Sequence, residues 1–233
     1  PTPTPSLAPC PTLAPTLDRD ALVVGESWVR CASSDAVGVT TVRPTAIGAA
    51  GGVVVLSTGK VADAAPPNVD DSTSTSFGTV AQGGQDVSIL RLDLLVPQGA
   101  SCLELTGVFA SEEYPEFLDS GYNDAFVAQL DRSDWLVTGT SVIAPGNFAL
   151  APDGTPMAVN SIFRTGDLYI QDNGTSFDVT TRRYTFRTAV TPGSHALYLS
   201  IFDVSDQVYD SAIFLADLGL YVGGSCSSEA GRS

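Results

Sequence analysis

The chain has 233 residues, 43% of them hydrophobic, enough for a sizeable core and too many for global disorder. With 26 acidic residues against 11 basic ones the formal net charge is −15, a field that repels phosphate backbones and anionic lipid. Nucleic-acid binding is excluded on that ground, and cations or basic partners are favoured.

Residues 1–16, PTPTPSLAPCPTLAPT, hold six prolines and four threonines. Proline fixes φ and removes amide donors, so residues 1–19 are expected to form an extended stalk or linker. Threonines beside prolines also suit O-glycosylation. Cys10 within this stretch argues that part of it is pinned to the folded body. From residue 20 to 226 short β-rich runs alternate with Gly, Pro, Asn, Asp and Ser, which predicts a single β-sandwich domain, jelly-roll-like, followed by a tail over 227–233. Val53–Leu56 reads as a buried strand. In 87–96, Leu90, Leu92, Leu94 and Val96 share one face while Arg91 and Asp93 lie on the other. Leu103, Leu105 and Phe109 alternate likewise, as do Tyr184, Phe186 and Val190, then Leu197, Leu199 and Ile201. About ten to twelve strands are expected, with no helical periodicity and no internal repeat. Two longer loops, 61–86 and 144–157, are candidates for a contact surface.

Four cysteines, Cys10, Cys31, Cys102 and Cys226, lie far apart, and the single His195 cannot complete a Cys/His zinc site. Two disulfides and an oxidising compartment follow. Three connectivities are possible; pairing the early cysteines together and the late ones together gives Cys10–Cys31 and Cys102–Cys226. Asn173-Gly174-Thr175 is a glycosylation sequon, expected on a loop if the source is eukaryotic. No apolar run reaches the ~18 residues of a membrane-spanning helix, and no signal peptide is visible, so the chain reads as a mature form or a fragment.

Two acidic strings carry the candidate chemistry. Phe109 to Phe126 places Glu112, Glu113, Glu116, Asp119, Asn123 and Asp124 together with no basic residue among them, and Ile201 to Ser211 holds Asp203, Asp206 and Asp210. Carboxylates so gathered repel one another and either face water separately or share a cation. Calcium, with its hard oxygen ligands and tolerant geometry, is the expected ion, held by Glu112, Glu113, Asp124, Asp203, Asp206 and Asp210. The competing reading is a solvated acidic rim; an EF-hand loop is absent. Glu112, Glu113 and Asp124 also form a candidate glycosidase pairing. Serine hydrolysis is disfavoured, because G-x-S-x-G is missing and His195 opens an apolar strand. The glycines of 48–52 precede a strand and make no phosphate cradle. Among the aromatic residues Trp28, Trp135, Tyr114, Tyr122, Tyr169 and Tyr209, Trp135 follows a charged turn and is the best candidate for an exposed sugar-stacking platform, with Tyr114 and Tyr122 beside it.

Several strings resemble the choice-of-anchor L family of secreted domains. They are Leu56-Ser57-Thr58-Gly59 with Pro67-Asn68, Val87-Ser88-Ile89-Leu90, Phe109 through Phe117, Asn123-Asp124-Ala125-Phe126, and Asp203 through Leu215, spanning roughly 47–221. The resemblance implies a surface-displayed module attached by varying anchors, and it brings no catalytic residues. Gly223–Ser233 shows no sorting signal or membrane tail. The function expected is a non-catalytic extracellular structural or adhesive module, part of a surface or appendage assembly, whose partners are other extracellular proteins or glycans. A carbohydrate-binding module and a paired-carboxylate glycoside hydrolase are the alternatives.

Overall fold

The computed structural model describes residues 9–48, 51–68, 72–165, 168–169, 173–223, 225–227 and 229–230. The chain order is β1 (Val23–Arg30), β2 (Val37–Thr40), β3 (Val53–Ser57), β4 (Val80–Ala81), β5 (Gly84–Val96), β6 (Cys102–Ser111), β7 (Ala125–Leu130), β8 (Leu136–Thr138), β9 (Ser141–Ile143), β10 (Met157–Ala158), β11 (Leu168–Tyr169), β12 (Val179–Thr181), β13 (Tyr184–Ala189), β14 (Gly193–Asp203), β15 (Ser211–Leu220) and β16 (Glu229–Ala230). Helix is confined to the four-residue turns α1 (Ala14–Leu17) and α2 (Val159–Ile162) and three 3-10 turns among the described residues. The strands outnumber those expected because several span only two or three residues, too few for alternation to register in a sequence.

Two antiparallel sheets pack face to face. Sheet one runs β1-β5-β14-β7-β10, with β4 beside β5; sheet two runs β11-β12-β6-β15-β3-β2, with β13 on β6 and β16 on β13. Leu90, Leu92, Leu94, Leu197, Leu199, Ile201 and Phe126 of sheet one meet Val54, Leu56, Leu103, Leu105, Phe109, Ile213 and Phe186 of sheet two in the main core. The expected alternation in 87–96, 103–109, 184–190 and 197–201 is therefore the sandwich interior.

Two smaller cores cover the outer faces. The hairpin β8–β9 lies on sheet one over Val87, Ile89, Ala125, Val127 and Phe202. On sheet two, Phe177 and the 61–64 turn cover Val53, Val55, Ala110, Ala212 and Phe214. Strands apolar on both faces need such cover. This corrects the expectation for Trp135, which is not an exposed platform. The indole is 1% exposed, stacks on Phe202 at 3.9 Å between centroids, and donates from Nε1 to Ser200 Oγ at 3.0 Å. The turn before it serves to fold the hairpin back onto Phe202.

The structure pairs Cys10 with Cys31 and Cys102 with Cys226. Residues 1–8 of the expected stalk lie outside the described residues, but 9–19 belong to the body. Leu13 and Leu17 are buried in the main core; the Glu26 carboxylate accepts from the Leu13 and Ala14 amides, and Trp28 Nε1 donates to the Pro11 carbonyl. The apolar residues among these prolines draw the segment into the body by giving it something to bury. Glu229–Ala230, expected in a tail, pairs with β13. The 144–157 loop is also partly structural, since Phe148 and Ala149 are buried and Asn147 Oδ1 accepts from the Ala128 amide at 2.9 Å.

Trp135→Ala is expected to cost about 3–5 kcal/mol, the usual price of emptying a buried aromatic site. Equilibrium urea unfolding checks this, and a change below about 1 kcal/mol would contradict the hairpin's role as core cover.

Candidate functional site

Strand register gathers the acidic residues at one end of the sandwich. In sheet one, Phe202 lies opposite Ala125, so Asp203 at the end of β14 falls beside Asp124 at the head of β7. Asp203 also pairs with Gln85, which brings Asp86 alongside. In sheet two, Ser211 lies opposite Ser111, placing Asp210 beside Glu112, whose amide donates to the Asp210 carbonyl at 3.1 Å. Ala212 opposite Ser57 sets Ser211 against Thr58. The two sheets are then joined through the cluster: Ser211 Oγ donates to Asp124 Oδ2 at 2.9 Å and lies 3.0 Å from Ser111 Oγ. Asp124 Oδ1 accepts from the Val204 amide at 3.1 Å.

Burial divides the predicted set. Glu112, Glu113, Asp124, Asp203 and Asp210 are each 2% exposed or less, and Asp86, which no motif marks, is fully buried with them. Asp206 is only half-buried. Glu116 and Asp119 of the same string face solvent, Asp119 pairing with Arg164. Asn123 is structural, accepting from the Asn160 amide and donating to the Thr140 carbonyl. The competing reading of a solvated rim thus describes part of the first string and not the rest.

Several oxygens of the buried carboxylates have no donor. Asp86 Oδ2, Glu113 Oε2, Asp203 Oδ1 and Asp210 Oδ2 are buried without a hydrogen-bond partner. The ion pairs at Arg19, Arg91, Arg132, Arg164, Arg187 and His195 involve none of Asp86, Glu113, Asp124, Asp203 and Asp210. Burial therefore pushes the Asp210 carboxyl up to about 7, with the exposed Lys60 pulling weakly the other way. Burial also raises Glu113, where the neighbouring charges of Asp124 and Asp206 add to it. It raises Asp203 well above the usual carboxylate range, with the Asp124 charge next in weight, and it raises Asp124 and Asp86 as well. Among the described residues no three His, Cys, Asp or Glu side chains group so as to hold a metal by themselves. A cation here would take carboxylates in pairs, completed by the hydroxyls of Thr58, Ser111 and Ser211 and by backbone carbonyls, a mixture calcium accepts.

The other candidates are accounted for locally. Tyr114 packs edge-on against Phe163 at 5.9 Å and Tyr122 against Phe117 at 5.5 Å, so neither joins a flat strip with Trp135. Asn173 is 4% exposed; its Nδ2 donates to the Phe177 carbonyl and its Oδ1 accepts from the Thr175 amide, so a glycan there would have to displace a buried turn. His195 Nδ1 lies 2.7 Å from Asp131 Oδ2 and Nε2 lies 2.8 Å from the Thr191 carbonyl, and the bond to Asp131 raises the imidazole pKa. The one local sign of Asp86 is that it opens the mostly apolar run from Val87 to Leu90, as Asp124 opens that from Ala125 to Ala128; its place beside Asp203 follows only from strand register. The hydroxyl residues gave no such sign.

Raised folded-state pKa values mean that the folded chain binds more protons than the unfolded one, so stability falls as pH rises through them. In chelator the thermal midpoint is expected to be higher near about pH 5 than near about pH 8. Asp131 raises the His195 pKa too, which acts in the same direction. Asp210→Asn isolates the carboxylate share, and calorimetry should show a shallower decline around its folded value of about 7; an unaltered slope would contradict it.

No curated protein sequence matches the chain significantly. A family model matches residues 26–220, a span that contains every buried acid of the cluster and leaves Cys10 and Cys226 outside. The chain belongs to the choice-of-anchor L domain family.

Proposed function

We propose that this chain is a non-catalytic extracellular module, structural or adhesive, that serves in a surface or appendage assembly and binds calcium at the acidic end of its sandwich. An anchor-type domain closed by two disulfides suggests an extracellular or surface location. Its partners in this reading are other extracellular proteins or glycans. Among the described residues no helix is long and apolar enough to cross a membrane.

The observation that carries the calcium reading is the set of buried carboxylate oxygens without partners at Asp86, Glu113, Asp203 and Asp210. Protonation would remove the charge but satisfy oxygens only where two carboxyls adjoin, as Asp124 and Asp203 do. Divalent cation binding would both offset the charge and engage these oxygens. The same burial favours a structural use of the acids over a catalytic one, since Glu112, Glu113 and Asp124 are at most 1% exposed and no substrate reaches them in this conformation.

Thermal melting in calcium and in chelator tests the proposal. Ion at about a hundredfold over its dissociation constant adds about 2.7 kcal/mol. For a domain of this size that corresponds to a rise of roughly 5–10 °C. An unchanged midpoint after verified metal removal overturns the calcium reading.

A further inference from the structure

Residues 72–79 cross the acidic end, with Gly78 left-handed at φ 69°, and several of their amides are spent on the cluster. The Thr75 amide donates to Asp210 Oδ1 at 2.9 Å, and those of Phe77 and Thr79 donate to Asp86 Oδ1 at 2.9 and 3.3 Å. The Asp210 amide returns a bond to the Thr73 carbonyl at 3.0 Å, and Ser76 Oγ donates to Gln207 Oε1. The segment thus uses one oxygen of each carboxylate. The other oxygen of each, Asp86 Oδ2 and Asp210 Oδ2, is buried without a partner, as is the adjacent Asp203 Oδ1.

Two further features single out Asp86. It holds a left-handed backbone, φ 44°, at the head of β5, a conformation that Asn and Asp tolerate better than other side-chain-bearing residues. An asparagine would cap the Phe77 and Thr79 amides equally well without burying a charge. What the carboxylate adds is charge, which acts on the neighbouring Asp210 and Asp203. At Asp210 the backbone of Gly59 leaves the room, since a Cβ there would overlap Asp210 Oδ2.

We propose that Asp86 and Asp210 form a second cation position, separate from the one around Glu113 and Asp124, which takes an oxygen-liganded divalent ion of the calcium class and fastens the 72–79 segment to the sandwich. The proposal rests on the reading that the acidic end binds calcium. It makes the surface of the 61–86 loop dependent on the ion, because the carboxylates that hold the segment are the ones that hold the cation.

Calorimetric titration of the chelator-stripped full chain with calcium chloride tests it. Wild type is expected to take up two calcium ions per chain, and Asp86→Asn one. Asp86→Asn is also expected to melt higher than wild type in chelator, because it deletes a buried charge and supplies a donor where none exists. In excess calcium that advantage should shrink or reverse. Asp210→Asn, which keeps the acceptor for the Thr75 amide, should lose the same single equivalent. One equivalent in both wild type and Asp86→Asn overturns the second position and leaves the first intact. Two equivalents in both also overturns it. No uptake by wild type removes both readings.

Discussion

The central strands are apolar on consecutive residues, and this constraint shapes the molecule. Ala125 to Ala128, Val53 to Leu56 and Ala212 to Leu215 point apolar side chains both into the sandwich and away from it. A two-sheet sandwich covers only the inner set, so the outer set must be covered by something else. The β8–β9 hairpin with Trp135 and the Phe177 turn supply that cover, and both lie over the portions of the strands next to the acidic residues. Water is removed from the strand ends as a result. Carboxylates that would be solvated on a bare sandwich rim become interior groups.

Magnitudes decide what those groups require. A hydrogen bond to a charged group contributes about 1.5–3 kcal/mol, whereas the effective penalty for a buried ion is several kcal/mol. Asp124, with one hydroxyl and one amide donor, is partly compensated; Glu113, Asp203 and Asp210 each retain an oxygen with no donor. Hydroxyls and amides alone cannot balance such a set of charges. The balance must come from protons or from a cation, and the two differ in sign with pH: protons are held better as pH falls, a cation as it rises.

Much of this was legible in the amino-acid sequence and some was not, for identifiable reasons. The inner faces of β5, β6, β13 and β14 could be read from alternation, and the acidic strings marked which end of the strands would matter. Trp135 was misread because a charged turn precedes it. The better clue was the unbroken apolar run Ala125–Ala128, which calls for a lid on the outer face. The N-terminal segment was read from its prolines, although Leu13 and Leu17 decide where it goes. Asp86 lies 38 residues from Asp124 and 117 from Asp203 in the chain, and only the antiparallel pairing of β5 and β14 makes them neighbours. Contacts set by register are not visible to motifs confined to one stretch.

The two disulfides also determine how the chain answers a mechanical load. Tension applied at the termini enters through Cys10 and Cys226 and passes across the sulfur bridges to Cys31 and Cys102. The loops enclosed by the bridges, which hold β1 and nearly all of β6 through β15, are bypassed and cannot be drawn out. Between the two bridges only the span from Cys31 to Cys102 can be drawn out, to a contour length on the order of 250 Å. A chain wired in this way keeps the sequence inside its two bridges out of the line of force.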